Sequence, residues 1–277
     1  MGKIQYINDQ NLAYKDHIIN GLHKYNKSQR GYREKDYQHF YVFEDEKLIG
    51  ASHTKLASDW CHIKSIYYQD IEVLKAILND IIEYYGMLMH GIQYNSIIPE
   101  RVNDFKKLGF QQKGKLEDMP KGGENIFLIL TEINTYQTDN EYEVISSDRP
   151  VDKLSKTMKK KNKRIRKKLN YSTERTDLQF VVLDDGKFAG GIYGNVQYDY
   201  LFNNVLFVKE DYRGQNMATN LMELIEEEAK ERGITNIYIT TFEFQALDFY
   251  KKHGYQVVMI IDDYPVGYKE YTVYKKL

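Results

Sequence analysis

The segment VKEDYRGQNMATNLMELIEEEAK, residues 208–230, decides how the rest of the chain is read. It starts as the end of a strand and passes through a turn carrying Arg213 and Gly214. It then runs straight into a helix that keeps Leu221, Leu224, Ile225 and Ala229 on one side. Gly233 closes that helix as a residue suited to a left-handed C-terminal cap. Glycine at 214 lets the chain bend and lets a ligand come close to the backbone. The first free N–H groups, from Gln215 through Asn216 and Met217 to Ala218, point out of the helix N-terminus. Together with the helix dipole they form an anion site. Ala218 is small enough not to block the approach, and Arg213 adds a charge-assisted contact. The segment therefore reads as a strand–turn–helix built to hold a phosphate.

The same reading extends outward. Phe180 to Leu183, Phe188 to Gln197 and Leu201 to Val208 read as strands, with Asp184, Asp185 and Gly186 forming a hairpin turn between the first two. Upstream, Asp148 and Pro150 open a helix whose apolar face is Val151, Leu154, Met158, Ile165 and Leu169. Downstream come a strand at 237–241, a helix at 246–253, and strands at 256–261 and 271–275. The sum is an α+β fold, a mostly antiparallel sheet flanked by helices with one parallel step near residues 204–241.

The chain also contains itself twice. FKKLGFQQKGKLEDMP (105–120) aligns without a gap on YKKHGYQVVMIIDDYP (250–265), a shift of 145 residues. FYVFEDEKLIGA (40–51) aligns on FVVLDDGKFAGG (180–191) with a shift of 140. Between these blocks Leu74, Ile77, Leu78 and Ile81 fall on Ala218, Leu221, Met222 and Ile225 with a shift of 144. Three collinear blocks imply two copies of one fold, over residues 1–135 and 141–277, joined by the polar stretch at 133–142.

Composition sets the outer limits. A 277-residue chain with 42% hydrophobic and 29% charged residues builds a packed core, and a net charge of -1 argues against general binding to nucleic acid or membrane surfaces. A single cysteine, Cys61, excludes an internal disulfide framework. No run reaches the ~18 apolar residues that span a bilayer, so the expected address is the cytoplasm and no membrane partner is expected.

The residues RGQNMA after a strand, followed some thirty positions later by ALDFYKKHGY, resemble the GCN5-related N-acetyltransferase (GNAT) family. That family opens a helix with Arg/Gln-x-x-Gly-x-Gly/Ala to bind the pyrophosphate of acetyl-coenzyme A. Its second block, Ala-x-x-x-Tyr-x-x-x-Gly-Phe, is met by Ala246, Tyr250, Gly254 and Tyr255. The resemblance covers residues 141–277 and, through the repeat, extends more weakly over the first copy. It implies two tandem acyl-CoA N-acyltransferase folds and transfer of acetyl from acetyl-CoA, as co-substrate and without a metal, to a primary amine of a small molecule or peptide. It assigns the cofactor to Leu206, Phe207, Val208, Arg213, Gly214, Gln215, Asn216, Met217 and Ala218. It assigns the proton donor for the leaving thiolate to Tyr250. Asn216 stands where the family usually has glycine, and asparagine tolerates left-handed backbone better than most residues. Glu243 replaces an asparagine that often contacts the cofactor. It is also the nearest carboxylate to serve as base, with a water relay as the alternative.

In the first copy the turn becomes Tyr68, Gln69 and Asp70, followed by Ile71 and Glu72, and Phe105 replaces the tyrosine. Carboxylates would stand where a pyrophosphate sits. That copy is expected to keep the core without cofactor or chemistry, and the whole to be a monomer or homodimer. Trp60, Tyr67 and Tyr68 would offer an aromatic wall for an acceptor between the copies. Ten Lys/Arg and no acid lie between Lys153 and Lys168. This stripe reads as the solvated face of an amphipathic helix. Used otherwise, it would make the chain an RNA or ribosome partner, but nucleic acid is not the expected ligand, since no aromatic stacking motif accompanies it. A non-catalytic acetyl-CoA sensor is the remaining alternative.

Overall fold

The computed structural model describes residues 3–30, 36–171 and 175–277. In chain order its elements begin with β1 (Ile4–Asn8), α1 (Lys15–Arg30), β2 (Asp36–Glu44), β3 (Lys47–Ala57), β4 (Trp60–Tyr68), α2 (Ile71–Tyr85), β5 (Gly91–Ser96) and α3 (Pro99–Lys107). Next come β6 (Gln111–Glu117), β7 (Glu124–Leu130), β8 (Glu143–Ser147), α4 (Asp152–Lys168), β9 (Arg175–Asp184), β10 (Lys187–Gln197) and β11 (Tyr200–Val208). The chain ends with α5 (Met217–Glu231), β12 (Asn236–Phe242), α6 (Leu247–Lys252), β13 (Gln256–Ile261) and β14 (Glu270–Lys276).

These strands form two seven-stranded sheets, ordered β8-β2-β3-β4-β5-β7-β6 and β1-β9-β10-β11-β12-β14-β13. Position by position the two orders are the same, and each has a single parallel pair, β4 with β5 and β11 with β12. Asp185 and Gly186 take the positive φ angles of 46° and 75° that a tight two-residue hairpin requires, as their sequence predicts. Each sheet covers its own helix: α2 packs Leu74, Ile77, Leu78 and Ile81 into the first core, and α5 packs Leu221, Met222, Ile225 and Ala229 into the second.

The sheets do not divide where the repeat suggests. β1 pairs antiparallel with β9 of the second sheet, Ile4 opposite Asp184 through Asn8 opposite Phe180. Reciprocally, β8 pairs with β2 of the first sheet. The helices follow their strands: Gly21 on α1 lies so close to the Phe207 ring of β11 that an added Cβ would clash with it, and α4 sends Met158 into a cluster with Tyr41 and Ala51. The opening strand and helix of each copy are thus exchanged onto the other sheet. Between the sheets lies a third core that contains Trp60, Phe127, Tyr200, Tyr238, Met259 and Tyr264. Trp60, 1% exposed, donates its indole N–H to the Asp263 carbonyl oxygen at 3.1 Å. It is therefore part of the joint between the copies and not an open wall for a ligand.

The buried face of α4 also differs from its apolar pattern. Val151 is exposed, whereas Ser155 and Asn162 are buried with Met158. The reason is tertiary: the Ser155 and Tyr41 hydroxyls lie 2.9 Å apart, and Arg101 donates to the Asn162 oxygen at 2.7 Å. The exchange has a consequence for truncation. A fragment of residues 141–277 lacks fully buried Ile18, worth roughly 1.5–3 kcal/mol on burial, as well as half-buried Leu22 and the β1 ladder. Against a typical stability of about 5–15 kcal/mol that loss is large. The polar face of its own α4 is a poor substitute. Such a fragment is expected to melt without a cooperative transition in circular dichroism; a sharp melt at the full chain's temperature would show that the exchange is dispensable.

Candidate active site

A bulge opens the second sheet. Tyr193 lies opposite Val205 while Gly194 lies opposite Asn203, which leaves Asn204 as an extra residue in β11. Parallel pairing of β11 with β12 stops at Asn203 opposite Ile239. The gap beyond that point is a cavity of about 300 Å³. Among the residues expected to hold a cofactor, Leu206, Phe207, Val208, Arg213 and Ala218 line it, and so does Tyr250. Leu22 and Tyr25 of the exchanged helix α1 complete the wall.

At the mouth, Gly214 has φ +75° with nothing within 4 Å of an added Cβ. Asn216, the N-cap of α5, adopts the left-handed conformation at φ 58°, ψ 9°, the glycine-like turn its sequence position demands. No side chain caps the helix, so its first N–H groups remain available to an anion. The Arg213 guanidinium sits 5.2 Å over the Tyr25 ring and donates from Nε to the Val208 carbonyl at 3.3 Å. Tyr25 in turn donates to the Phe244 carbonyl at 3.0 Å. The side chains of two neighbours point elsewhere. Gln215 donates to the Asp211 carbonyl, and Met217 is buried in the core, so only their backbones face the turn.

Tyr250 is 6% exposed, packed edge-on between Phe249 and Tyr255. Burial pushes its phenol well above the ordinary tyrosine range, because desolvation penalises the phenolate. It therefore stays a proton donor at any physiological pH. Asn203, also buried, lines the cavity with a side-chain oxygen that has no partner among the described residues. Gln245 pins the loop after β12: its oxygen accepts from the Phe242 N–H at 2.8 Å and its amide donates to Asn26 of α1 at 2.8 Å. Glu243 is exposed, its N–H bonded to the Lys269 carbonyl, and is not among the residues lining the cavity. No aspartate or glutamate is among them.

The first copy differs at each of these points. Tyr68 pairs with Gly50 as Val208 pairs with Gly190, yet Val73 occupies the core position of Met217. Four residues, the turn 209–212, are therefore missing between strand and helix. Asp70 accepts the Val73 N–H at 3.0 Å and caps α2 itself. Glu72 is held by Lys75 and by the Asp139 N–H. Phe105 is fully buried and stacked on Tyr94 at 4.2 Å.

Leu22, Tyr25, Asn203 and Gln245 escape the sequence reading. The first two come from the exchanged helix, and the last two belong to neither motif. The basic stripe lies where expected, with Lys153, Lys156, Lys159 and Lys163 exposed, although Lys161 bonds the Tyr67 hydroxyl at 2.7 Å. Cys61 is buried, and burial raises its thiol pKa. Among the described residues, no cluster of His, Cys, Asp and Glu is arranged to hold a metal, and no helix is long and apolar enough to cross a membrane.

Residues 141–255 match the acetyltransferase (GNAT) family. Blasticidin-S acetyltransferase of Streptomyces morookaense is 34% identical over 93 residues, which are 33% of this chain and 68% of that protein. The chain belongs to the GNAT acetyltransferase family. A second relative, an acetyltransferase of Agrobacterium fabrum, is 36% identical over 84 residues, 30% of this chain and 61% of its own length. Among solved structures, an acetyltransferase from Bacillus cereus is 28% identical with a TM-score of 0.44, covering 47% of this chain and 95% of that one. The family match stops short of the first copy and includes the turn, α5 and Tyr250.

Proposed function

We propose that this GNAT protein transfers the acetyl group of acetyl-CoA to a primary amine in the cavity between β11 and β12. The observation that carries the proposal is the uncapped N-terminus of α5, entered through left-handed Gly214 and Asn216, beside a cavity that Tyr250 lines. The amides from Gly214 to Ala218, with Arg213, hold the pyrophosphate; a helix terminus supplies about 0.3–1 kcal/mol to an exposed anion and up to ~2 in a part-buried one. The splayed end of β11, Leu206 to Val208, no longer paired with β12, offers its free edge to the pantetheine arm and the thioester oxygen. The amine nitrogen attacks the carbonyl carbon, the C–S bond breaks, and the Tyr250 phenol protonates the departing sulfur. With no carboxylate lining the cavity, the amine's proton leaves through water, and Glu243 has no part in it.

The first copy binds no cofactor in this reading, because the Asp70 carboxylate stands at the helix N-terminus and takes the Val73 amide a phosphate would need. The name of the Streptomyces relative supports a small-molecule acceptor. Calorimetric titration with acetyl-CoA tests the proposal directly. One site per chain is expected; two sites would give the first copy a cofactor after all, and none would end the acetyltransferase reading.

A further inference from the structure

The first copy has lost its turn, but its cleft survives in altered form. β4 carries the same bulge as β11, His53 opposite Ser65 and Thr54 opposite Ile63, with Lys64 as the extra residue. Pairing of β4 with β5 stops at Ile63 opposite Tyr94. Beyond lies a cavity of about 480 Å³, which the second copy closes with Tyr198, Phe202 and Tyr238. It is independent of the catalytic cavity. Along β11 and β12, Phe202 and Tyr238 face this side, while the adjacent Asn203 and Ile239 line the other.

The lining is cationic. Lys64, Arg101 and Arg166 enter it, Arg175 stands with them, and its described residues include no aspartate or glutamate. Arg101 occupies the place of Ala246 in the repeat, so a guanidinium has replaced the small residue of the second copy. It is 9% exposed and spends one N–H on Asn162, leaving the rest of its five donors without a protein acceptor among the described residues. No carboxylate among those residues lies within ion-pair distance of Lys64, Arg101 or Arg166. An independent sign comes from Asn125, which is 1% exposed. Asn125 is among the lining residues; its oxygen accepts from Asn95, while its amide nitrogen has no partner among the described residues. Of the other two cations, Lys64 is exposed and Arg166 half-buried. A buried guanidinium, two further cations and an idle donor around one space call for a ligand rich in acceptor oxygens and negative charge. Three cations converging on one space suit a phosphate, whose oxygens accept from several donors at once, better than a single carboxylate.

We propose that the cavity between the copies binds a small phosphate-bearing anion, held by Lys64, Arg101 and Arg166 with Asn125 donating to it. The test uses inorganic pyrophosphate as probe and the full chain carrying Gly214→Asp, so that the turn before α5 cannot take it. One pyrophosphate per chain is expected by calorimetry. Adding Arg166→Gln, or Lys64→Met should that variant fold better, should weaken binding by about tenfold or more, the worth of one charge-assisted contact. Acetyl-CoA affinity of Arg166→Gln in the otherwise unchanged chain should remain as it was. Absence of binding at millimolar pyrophosphate, or affinity indifferent to both substitutions, would overturn the proposal. Tighter binding of citrate than of pyrophosphate would overturn its phosphate part.

Discussion

Gly214→Asp is expected to weaken acetyl-CoA binding on the order of a hundredfold, about 2.7 kcal/mol, while the protein stays folded. The substitution has two separable effects. Position 214 has φ +75°, a conformation that costs an L-residue roughly 1–2 kcal/mol and aspartate less than most. The site is open, with nothing within 4 Å of a new Cβ, so no clash is added. The carboxylate, however, would stand beside the phosphates. Two unit charges about 4 Å apart repel by ~1 kcal/mol in water and ~4 at a protein surface, and a diphosphate meets the charge with more than one oxygen. The first copy shows the same outcome in place: by helix register Asp70 falls at this position, and its carboxylate has taken the Val73 amide for itself. Gly214→Ala is the control, since it carries the strain without the charge and should lose less than about tenfold. Equal losses in the two variants would assign the effect to backbone strain, and unchanged binding in Gly214→Asp would remove the phosphate from this turn. Asp70→Asn should leave acetyl-CoA binding unchanged.

The turn was legible in the sequence because its physics is local. Gly214, Asn216 and the periodicity of α5 need no distant partner to be understood, and the structure places Asn216 in the left-handed conformation that its substitution for glycine implies. The exchange of β1–α1 against β8–α4 was not legible, for a reason inherent in repeats. A period near 140 residues is the same whether each copy's first strand pairs with its own sheet or with the other's. Nothing in residues 4–8 distinguishes β9 from β2 as a neighbour until both are built. The missed wall residues Leu22 and Tyr25 follow from that one ambiguity. The polar face of α4 has a similar origin, since Ser155 and Asn162 are buried by virtue of Tyr41 and Arg101, more than sixty residues away in the chain. Glu243 was attractive as the nearest carboxylate along the chain, but the end of β12 turns it outward to solvent. Trp60 looked available as an aromatic surface until the second sheet covered it.

Tyr250→Phe is expected to lower kcat by on the order of 10²–10⁴, the usual share of a positioned general acid, with KM for acetyl-CoA unchanged. The packing argument is unusually direct, because the protein already holds phenylalanine at the equivalent position. Phe105 is fully buried against Tyr94 and Phe110, so this scaffold accepts the ring without its hydroxyl. The melting temperature of the variant should therefore stay near that of the parent chain, which separates lost chemistry from lost structure. The pH dependence gives a second, independent reading. Desolvation disfavours the phenolate, so the pKa of Tyr250 lies above the ordinary value near 10, and the protonated donor persists throughout the alkaline range. The rate should rise with pH as the acceptor amine loses its proton and should show no falling limb below about pH 10. A falling limb near neutrality in the parent chain would mean that some other group gives the proton. A Tyr250→Phe variant with full kcat would reduce this tyrosine to what Phe105 already is, a ring in the core.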